Sequence, residues 1–396
     1  MEFKENSIQY EVVLRDPQSV LQKQLGNDLK VIDFKTKTFL QLGDNYGSTI
    51  LDVQVKIKRK NDAEEEKLDL VAKMLPPTEF QRIFFETQIS FKKEIFVYEN
   101  LIPTYCSLYN GVFDITPKLY GSRISITADV DEVENDAVIL MENLKVKGYC
   151  MEDRHKGLSL AHIKMTILSL AKFHAIGLSI KHKKRSYLPT LQRYMKPMII
   201  INDVMKPFIT NVLDVIQADP DLKQYYDRIK RTGNFENISD TYYNSLNVEH
   251  PWACAVHSDL WVNNVLFYRN KLEGQNVAKF IDFQMSYISS PLSDLIFFLC
   301  ISMERSLSHI DEMIELYRLQ IIDISKELGC AVEQFSKEKF DERLKIDAAN
   351  ELYHILLMLK VVELPKNEQI ETSLLNDNCI FRLKNIIRIY TDKNWI

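Results

Sequence analysis

Three side chains in one stretch of the chain, Asp259, Asn264 and Asp282, have the types and the spacing to handle a metal ion and a proton, with His257 beside them as a brace for the loop. His257, Asp259 and Asn264 lie on a polar loop between two apolar, strand-like runs, Cys254 to Val256 and Asn264 to Phe267, and a third such run, Ala278 to Ile281, delivers Asp282 at its end. A loop carboxylate such as Asp259 can orient a hydroxyl or accept its proton. The amide oxygen of Asn264 can ligate Mg²⁺, and Asp282 can hold a metal that bridges phosphates. Asp and Asn also favour ordinary solvated turns. Here, however, the polar residues interrupt runs that would otherwise bury them, and burying such groups unpaired is costly. The pattern predicts a hairpin-like carrier for the three side chains Asp259, Asn264 and Asp282.

The order H-x-D-x-x-x-x-N followed by D-F is the phosphoryl-transfer layout of kinase-fold enzymes, and other stretches supply parts that such chemistry needs. Lys73 stands in the apolar run LDLVAKML, where a buried ammonium requires an anionic partner; otherwise it is an exposed edge lysine. SFKKEIFVYENLIP reads as a helix with Ser90 as N-cap and a stop before Pro103, which puts Glu94 on one face with Phe91, Ile95 and Tyr98. A Lys73–Glu94 pair would hold the lysine over the α- and β-phosphates of ATP. The turn Gly43 to Ser48 can act as an anion nest over phosphates, or be a common β-turn.

The stretch HSDLWVNNVLF together with IDFQ resembles the ecdysteroid kinase-like family of small-molecule phosphotransferases, whose relatives are the choline and aminoglycoside kinases. Members usually read H-G-D-L-W-x-N-N, and Ser258 stands here in place of the glycine, costing loop freedom but removing no ligand. The resemblance implies a metazoan, mostly arthropod, origin. By the same resemblance Gly43, Asn45, Tyr46 and Ser48 match the family's phosphate-covering turn G-x-N-Y-x-S, and Lys73 and Glu94 match its lysine and glutamate. Its hinge, usually Glu-Asp-Leu, falls on Glu142 and Leu144, with Asn143 as a departure that should do little harm because adenine is read mainly by backbone groups. Ser258 also replaces the arginine by which protein kinases read an activation-loop phosphate.

These residues need a frame. Residues 18 to 30 have the spacing of an amphipathic helix, the segment from Thr38 to Lys58 reads as strand, turn, strand, and Val138 to Met141 is a short buried strand. The glycine-containing polar segment after Glu142 is a natural hinge, placing one lobe over residues 1–146 and a second over 147–396. The second lobe opens with a long helix that carries His174 on its apolar stripe, expected to brace the loop as a hydrogen-bonded core histidine. Residues 186–248 look helical and rich in Tyr and Met, which is plain core more often than a ligand lining. Asp294 stands near the start of a helix, where its charge suits the helix dipole, and it is too close to Asp282 for a long activation segment to fit between them. Three or four helices follow, through Ile310 to Leu328, Phe335 to Val362 and Cys379 to Tyr390.

Composition bounds the rest. A 396-residue chain that is 46% hydrophobic can form two lobes and a cleft. A net charge of −5 argues against nucleic acid. Six scattered cysteines without a C-x-x-C pair suggest neither zinc nor disulfides. A charged N-terminus and the lack of a run of about 18 apolar residues point to the cytoplasm and away from a membrane.

The expectation is thus an α+β, protein-kinase-like two-lobe fold with ATP and Mg²⁺ as cofactors, phosphorylating a hydroxyl of a small, largely apolar acceptor such as an ecdysteroid or a hydroxylated xenobiotic, in hormone inactivation or detoxification. In it Asp259 is the base, Asn264 and Asp282 are the metal ligands and Lys73 is the phosphate clamp. The rivals are a non-catalytic binding protein on a kinase scaffold, a choline-type kinase, and a hydrolase, for which no G-x-S-x-G or H-E-x-x-H motif is present. Oligomeric state is left open.

Overall fold

A computed structural model describes residues 8–38, 47–60, 64–127, 129–198, 202–233, 245–268, 278–364 and 375–396. The chain forms two compact units, one of residues 1–103 and 116–150, the other of residues 104–115 and 151–396.

The first unit begins with helix α1 (Pro17–Leu25), whose start follows from Asp16 accepting the Ser19 N–H at 3.2 Å and from Pro17 in the first turn. It is shorter than its apolar spacing suggested. The chain turns at Gly26, and Leu29 already belongs to a strand. Strands β1 (Leu29–Thr38), β2 (Thr49–Arg59) and β3 (Glu66–Met74) are joined by β4 (Leu119–Arg123) and β5 (Val138–Glu142) in one antiparallel sheet of order β1-β2-β3-β5-β4. A short strand, β6 (Tyr149–Cys150), ends the unit. The two-residue period of β2 and β3 sends Val53, Val55, Ile57, Leu68, Leu70 and Ala72 to one face, where Val20 and Leu21 of α1 complete the core. Lys73 therefore faces the opposite side. It stands in a central strand between Ile50 of β2 and Ile139 of β5, so it is not an edge lysine.

After α2 (Glu79–Phe84), helix α3 covers Thr87–Phe96. Ser90 is thus inside the helix and not its N-cap; it is buried and its hydroxyl donates to the Phe85 carbonyl at 2.8 Å. Pro103 does not end the helical run either. A π turn, Val97–Leu101, leads into α4 (Ile102–Leu108), whose first turn contains the proline.

The second unit is built on α5 (Leu160–Lys183), α6 (Leu188–Tyr194), α7 (Asn202–Ala218), α8 (Tyr226–Thr232), α9 (Pro291–Ser302), α10 (Ile310–Glu327), α11 (Lys337–Glu363) and α12 (Asp377–Asp392). Among the described residues α5 alone is long and apolar enough to cross a membrane, yet most of it is buried, packed on α10, α9 and the strand β7 (Cys254–Val256). Gly177 permits that approach: a Cβ there would lie 2.5 Å from the Tyr105 hydroxyl and 3.2 Å from the Cβ of Cys254. The six cysteines are all free. Met195 and Met198, from the segment rich in Tyr and Met, are core side chains.

Lys93 of α3 sits 1% exposed and its Nζ has no hydrogen-bond partner among the described residues. Burial pushes its ammonium down to about 8, against a weaker opposing pull from Glu86. A lysine depressed in the folded state binds its proton more tightly when unfolded, so it destabilises the fold below pH 8, and the penalty fades as pH rises toward the unfolded value. Replacing Lys93 with Met should therefore raise stability at pH 7 by about 1–3 kcal/mol, with the gap from wild type shrinking between pH 8 and about 10. Chemical denaturation across that range checks this; a gap independent of pH would show that Lys93 keeps its charge at no cost.

Candidate active site

The polar loop does not join the two strands of one hairpin. β7 pairs antiparallel with β10 (Tyr287–Ser289), whereas β8 (Val265–Tyr268) pairs with β9 (Lys279–Phe280). The loop 257–264 thus bridges two separate ladders, and its last residues form a 3₁₀ turn, Val262–Asn264.

One carboxylate fixes its entry. Asp294, in the first turn of α9, accepts the His257 N–H at 2.6 Å on Oδ2 and the Ser258 N–H at 2.7 Å on Oδ1. His174 of α5 also reaches Oδ2, with Nε2 at 3.1 Å, and its Nδ1 is 2.7 Å from the Tyr317 hydroxyl. An imidazole that donates Nε2–H to the carboxylate presents Nδ1 as the acceptor for the tyrosine. Burial raises the Asp294 carboxyl, but the hydrogen bonds from the His174 ring and the His257 backbone, with the electrostatic pull of the two imidazoles, outweigh it and hold the group below the ordinary carboxylate range. Sequence reasoning gave His174 this bracing part but missed Asp294 as the hub. The available signal was a single acid in the otherwise apolar helix PLSDLIFFLCIS.

The remaining contacts draw the chemical side chains together. His257 donates Nε2–H to the Ile281 carbonyl at 2.9 Å, leaving Nδ1 to accept the Asp259 N–H at 3.3 Å. It is a brace between the loop and the residue before Asp282. The Ile281 N–H donates to the Asn264 carbonyl at 3.1 Å, which sets Asn264 beside the approach to Asp282. Asn264 Nδ2 donates to the Asp259 carbonyl at 2.8 Å and to Asp259 Oδ2 at 3.0 Å. That bond fixes the carboxylate and turns the amide oxygen of Asn264 away from it. Both Ser258, at φ +65°, and Asp282, at φ +66°, hold the left-handed backbone conformation.

In the first unit Lys73 Nζ lies 2.5 Å from Glu94 Oε2, with both side chains almost wholly buried. The residues expected at the hinge are engaged as well. Glu142 accepts the Lys118 N–H at 3.3 Å and pairs with Lys147. Asn143 donates to Asp52 at 3.0 Å and accepts the N–H groups of Lys145 and Val146, so it shapes the turn itself. Leu144 is buried, its carbonyl accepts the Tyr149 N–H, and its own N–H has no partner among the described residues. Ser48 is buried; Gly43, Asn45 and Tyr46 lie outside the described residues.

Hard oxygen donors suit Mg²⁺, which is usually held by one or two carboxylates with substrate phosphates and water completing its shell. The amide oxygen of Asn264 and the carboxylate of Asp282 are donors of that kind. Among the described residues no group of three His, Cys, Asp or Glu side chains is placed to cage a metal.

Breaking a buried ion pair by removing one partner costs about 3–5 kcal/mol. Lys73→Ala should lower stability by that order, and Lys73→Ala with Glu94→Gln should recover part of the loss. Denaturant titration of the two single variants and the double variant checks this; strictly additive losses would show that the two side chains are not coupled.

A model of the Ecdysteroid kinase-like family matches residues 42–330. No curated protein matches the chain. Among solved structures, choline kinase from Cryptosporidium parvum Iowa II aligns with TM-score 0.50 at 13% identity, over 92% of this chain and 91% of that one. Ethanolamine kinase from Plasmodium vivax aligns with TM-score 0.42 at 12% identity, over 94% and 87%. An aminoglycoside phosphotransferase from Alicyclobacillus acidocaldarius aligns with TM-score 0.43 at 9% identity, over 98% of each chain. The fold is protein-kinase-like, an antiparallel five-stranded sheet unit followed by a mainly helical unit, and the chain belongs to the ecdysteroid kinase-like family.

Proposed function

We propose that this protein is an ATP-dependent phosphotransferase acting on a hydroxyl group of a small, largely apolar molecule, with ecdysteroids and hydroxylated xenobiotics as the acceptor classes. The observation that carries this reading is the coupling of Asn264 to Asp259, 3.0 Å apart, on a loop whose backbone is tied to the residue before Asp282. Asp259 orients the acceptor hydroxyl and takes its proton, and Asn264 keeps that carboxylate in place. Asn264 and Asp282 offer oxygens to Mg²⁺, which when bound neutralises charge on the nucleotide phosphates. Lys73, steadied by Glu94, clamps the phosphates, and Ser48 helps to cover them. The Leu144 N–H and the backbone near Glu142 meet the adenine. Because His257 spends both ring nitrogens on backbone groups, it holds the loop and is not the base.

The neutrality of the acceptor is supported by what the second unit's acids do. Asp219 and Asp221, next to α7, are both paired with Lys384, at 2.9 and 2.8 Å. They are therefore not a free carboxylate cluster for a polycation. Six free thiols suit a reducing compartment and support a cytoplasmic protein.

The test is a screen of hydroxylated compounds for ATP-dependent mass gain of one phosphate. Ecdysteroids or phenolics should be phosphorylated with weak salt dependence, and Asp259→Asn should lose about 10²- to 10⁴-fold in rate on every acceptor alike. Efficient phosphorylation of polycationic aminoglycosides, falling steeply with salt, would overturn the neutral acceptor. An Asp259→Asn protein as active as wild type would remove Asp259 as the base.

A further inference from the structure

Ser258 occupies a position that its backbone does not need it for. Its N–H and that of His257 converge on the Asp294 carboxylate, and the residue takes φ +65°, a region that disfavours side chains and that glycine enters freely. Packing does not account for the serine either. Its hydroxyl has no hydrogen-bond partner among the described residues, and although the residue is only 8% exposed, the oxygen is not sealed from solvent. Non-glycine residues held in disfavoured conformations concentrate at functional sites. Here a solvent-reachable hydroxyl sits one residue from Asp259, whose carboxylate Asn264 holds fixed. Neighbouring Cα atoms lie 3.8 Å apart, so the two side chains spring from points that one small molecule spans.

We propose that Ser258 is a specificity-determining residue of the acceptor site, its hydroxyl bonding a second oxygen of the acceptor adjacent to the one presented to Asp259, so that the protein selects acceptors with vicinal oxygens. This rests on the phosphotransferase reading above. The contact is one of binding: Ser258 donates to, or accepts from, the neighbouring oxygen and exchanges no proton with the reacting hydroxyl. An acceptor lacking that oxygen leaves the serine hydroxyl hydrated as in the free protein, so it loses one net hydrogen bond.

Two matched pairs of probes test this: ecdysone against 2-deoxyecdysone, and catechol against phenol. Wild type should favour at least one vicinal diol over its partner by about three- to tenfold in kcat/KM, the fold-change of one net hydrogen bond. Ser258→Ala and Ser258→Gly should both abolish that preference, chiefly through KM, while the affinity for MgATP stays as in wild type. The two variants separate side chain from backbone: only Ser258→Gly should raise the melting temperature, since only it relieves the left-handed strain. Retention of the diol preference in Ser258→Ala, its loss in Ser258→Gly alone, or equal use of both members of each pair by wild type would overturn the inference. Failure of wild type to phosphorylate any hydroxylated compound would instead overturn the phosphotransferase reading and this inference with it.

Discussion

A single buried carboxylate, that of Asp294, holds the arrangement of the second unit's chemical residues. Hydrogen bonds to a charged group are worth about 1.5–3 kcal/mol each, and Asp294 receives three, from the backbone N–H groups of His257 and Ser258 and from the imidazole of His174. Without them a carboxylate 1% exposed would not stay ionised. Its carrier cannot easily shift. All 12 residues of α9 are buried, the helix starts on the Ser290 cap, and at its far end the buried Arg382 guanidinium donates to the carbonyls of Cys300, Ile301 and Met303. The loop therefore inherits its position from the core. Through His257 and the Ile281 carbonyl the same anchor extends to the residue before Asp282.

The first unit poses the opposite question, because its buried pair is not required by the fold. Desolvating an ammonium and a carboxylate roughly cancels their attraction, so apolar residues of similar volume would serve a core as well or better. On the function proposed above, a lysine and a glutamate kept almost fully buried on a central strand and its covering helix are groups held ready for a ligand. Lys93, adjacent in sequence to Glu94, shows the cost of the alternative: neighbouring positions on a helix do not face each other, so it cannot share that glutamate, and burial depresses its ammonium.

The legible parts of the sequence were those whose chemistry conflicts with their surroundings. Lys73 in an apolar strand and Glu94 on an apolar face stood out for that reason and meet in the structure. Asp259 and Asn264, polar residues between strand-like runs, are hydrogen-bonded to each other. The helices from Ile310 onward were readable because long amphipathic periodicity is a strong signal. β1 was missed because it is an edge strand, mostly exposed on both faces, so LKVIDFKTKT shows no clean alternation. The hairpin expectation failed because pairing partners are set by long-range register, which adjacency in sequence does not reveal: β7 takes β10 and β8 takes β9. The anchoring role of Asp294, read only as a charge suited to the helix dipole, escaped notice because its partners lie 36, 37 and 120 residues away.

That a loop anchored by Asp294 presents Asp282 to a metal-bound nucleotide is most directly tested by calorimetric titration of ATP into the wild-type protein and Asp282→Asn, with and without Mg²⁺. Wild type should bind ATP more tightly with Mg²⁺ than without it, and Asp282→Asn should lose that difference while keeping the wild-type melting temperature, since the carboxylate of Asp282 is not part of the core. A wild-type protein that binds no ATP, or a variant that retains the full Mg²⁺ preference, would contradict the assignment.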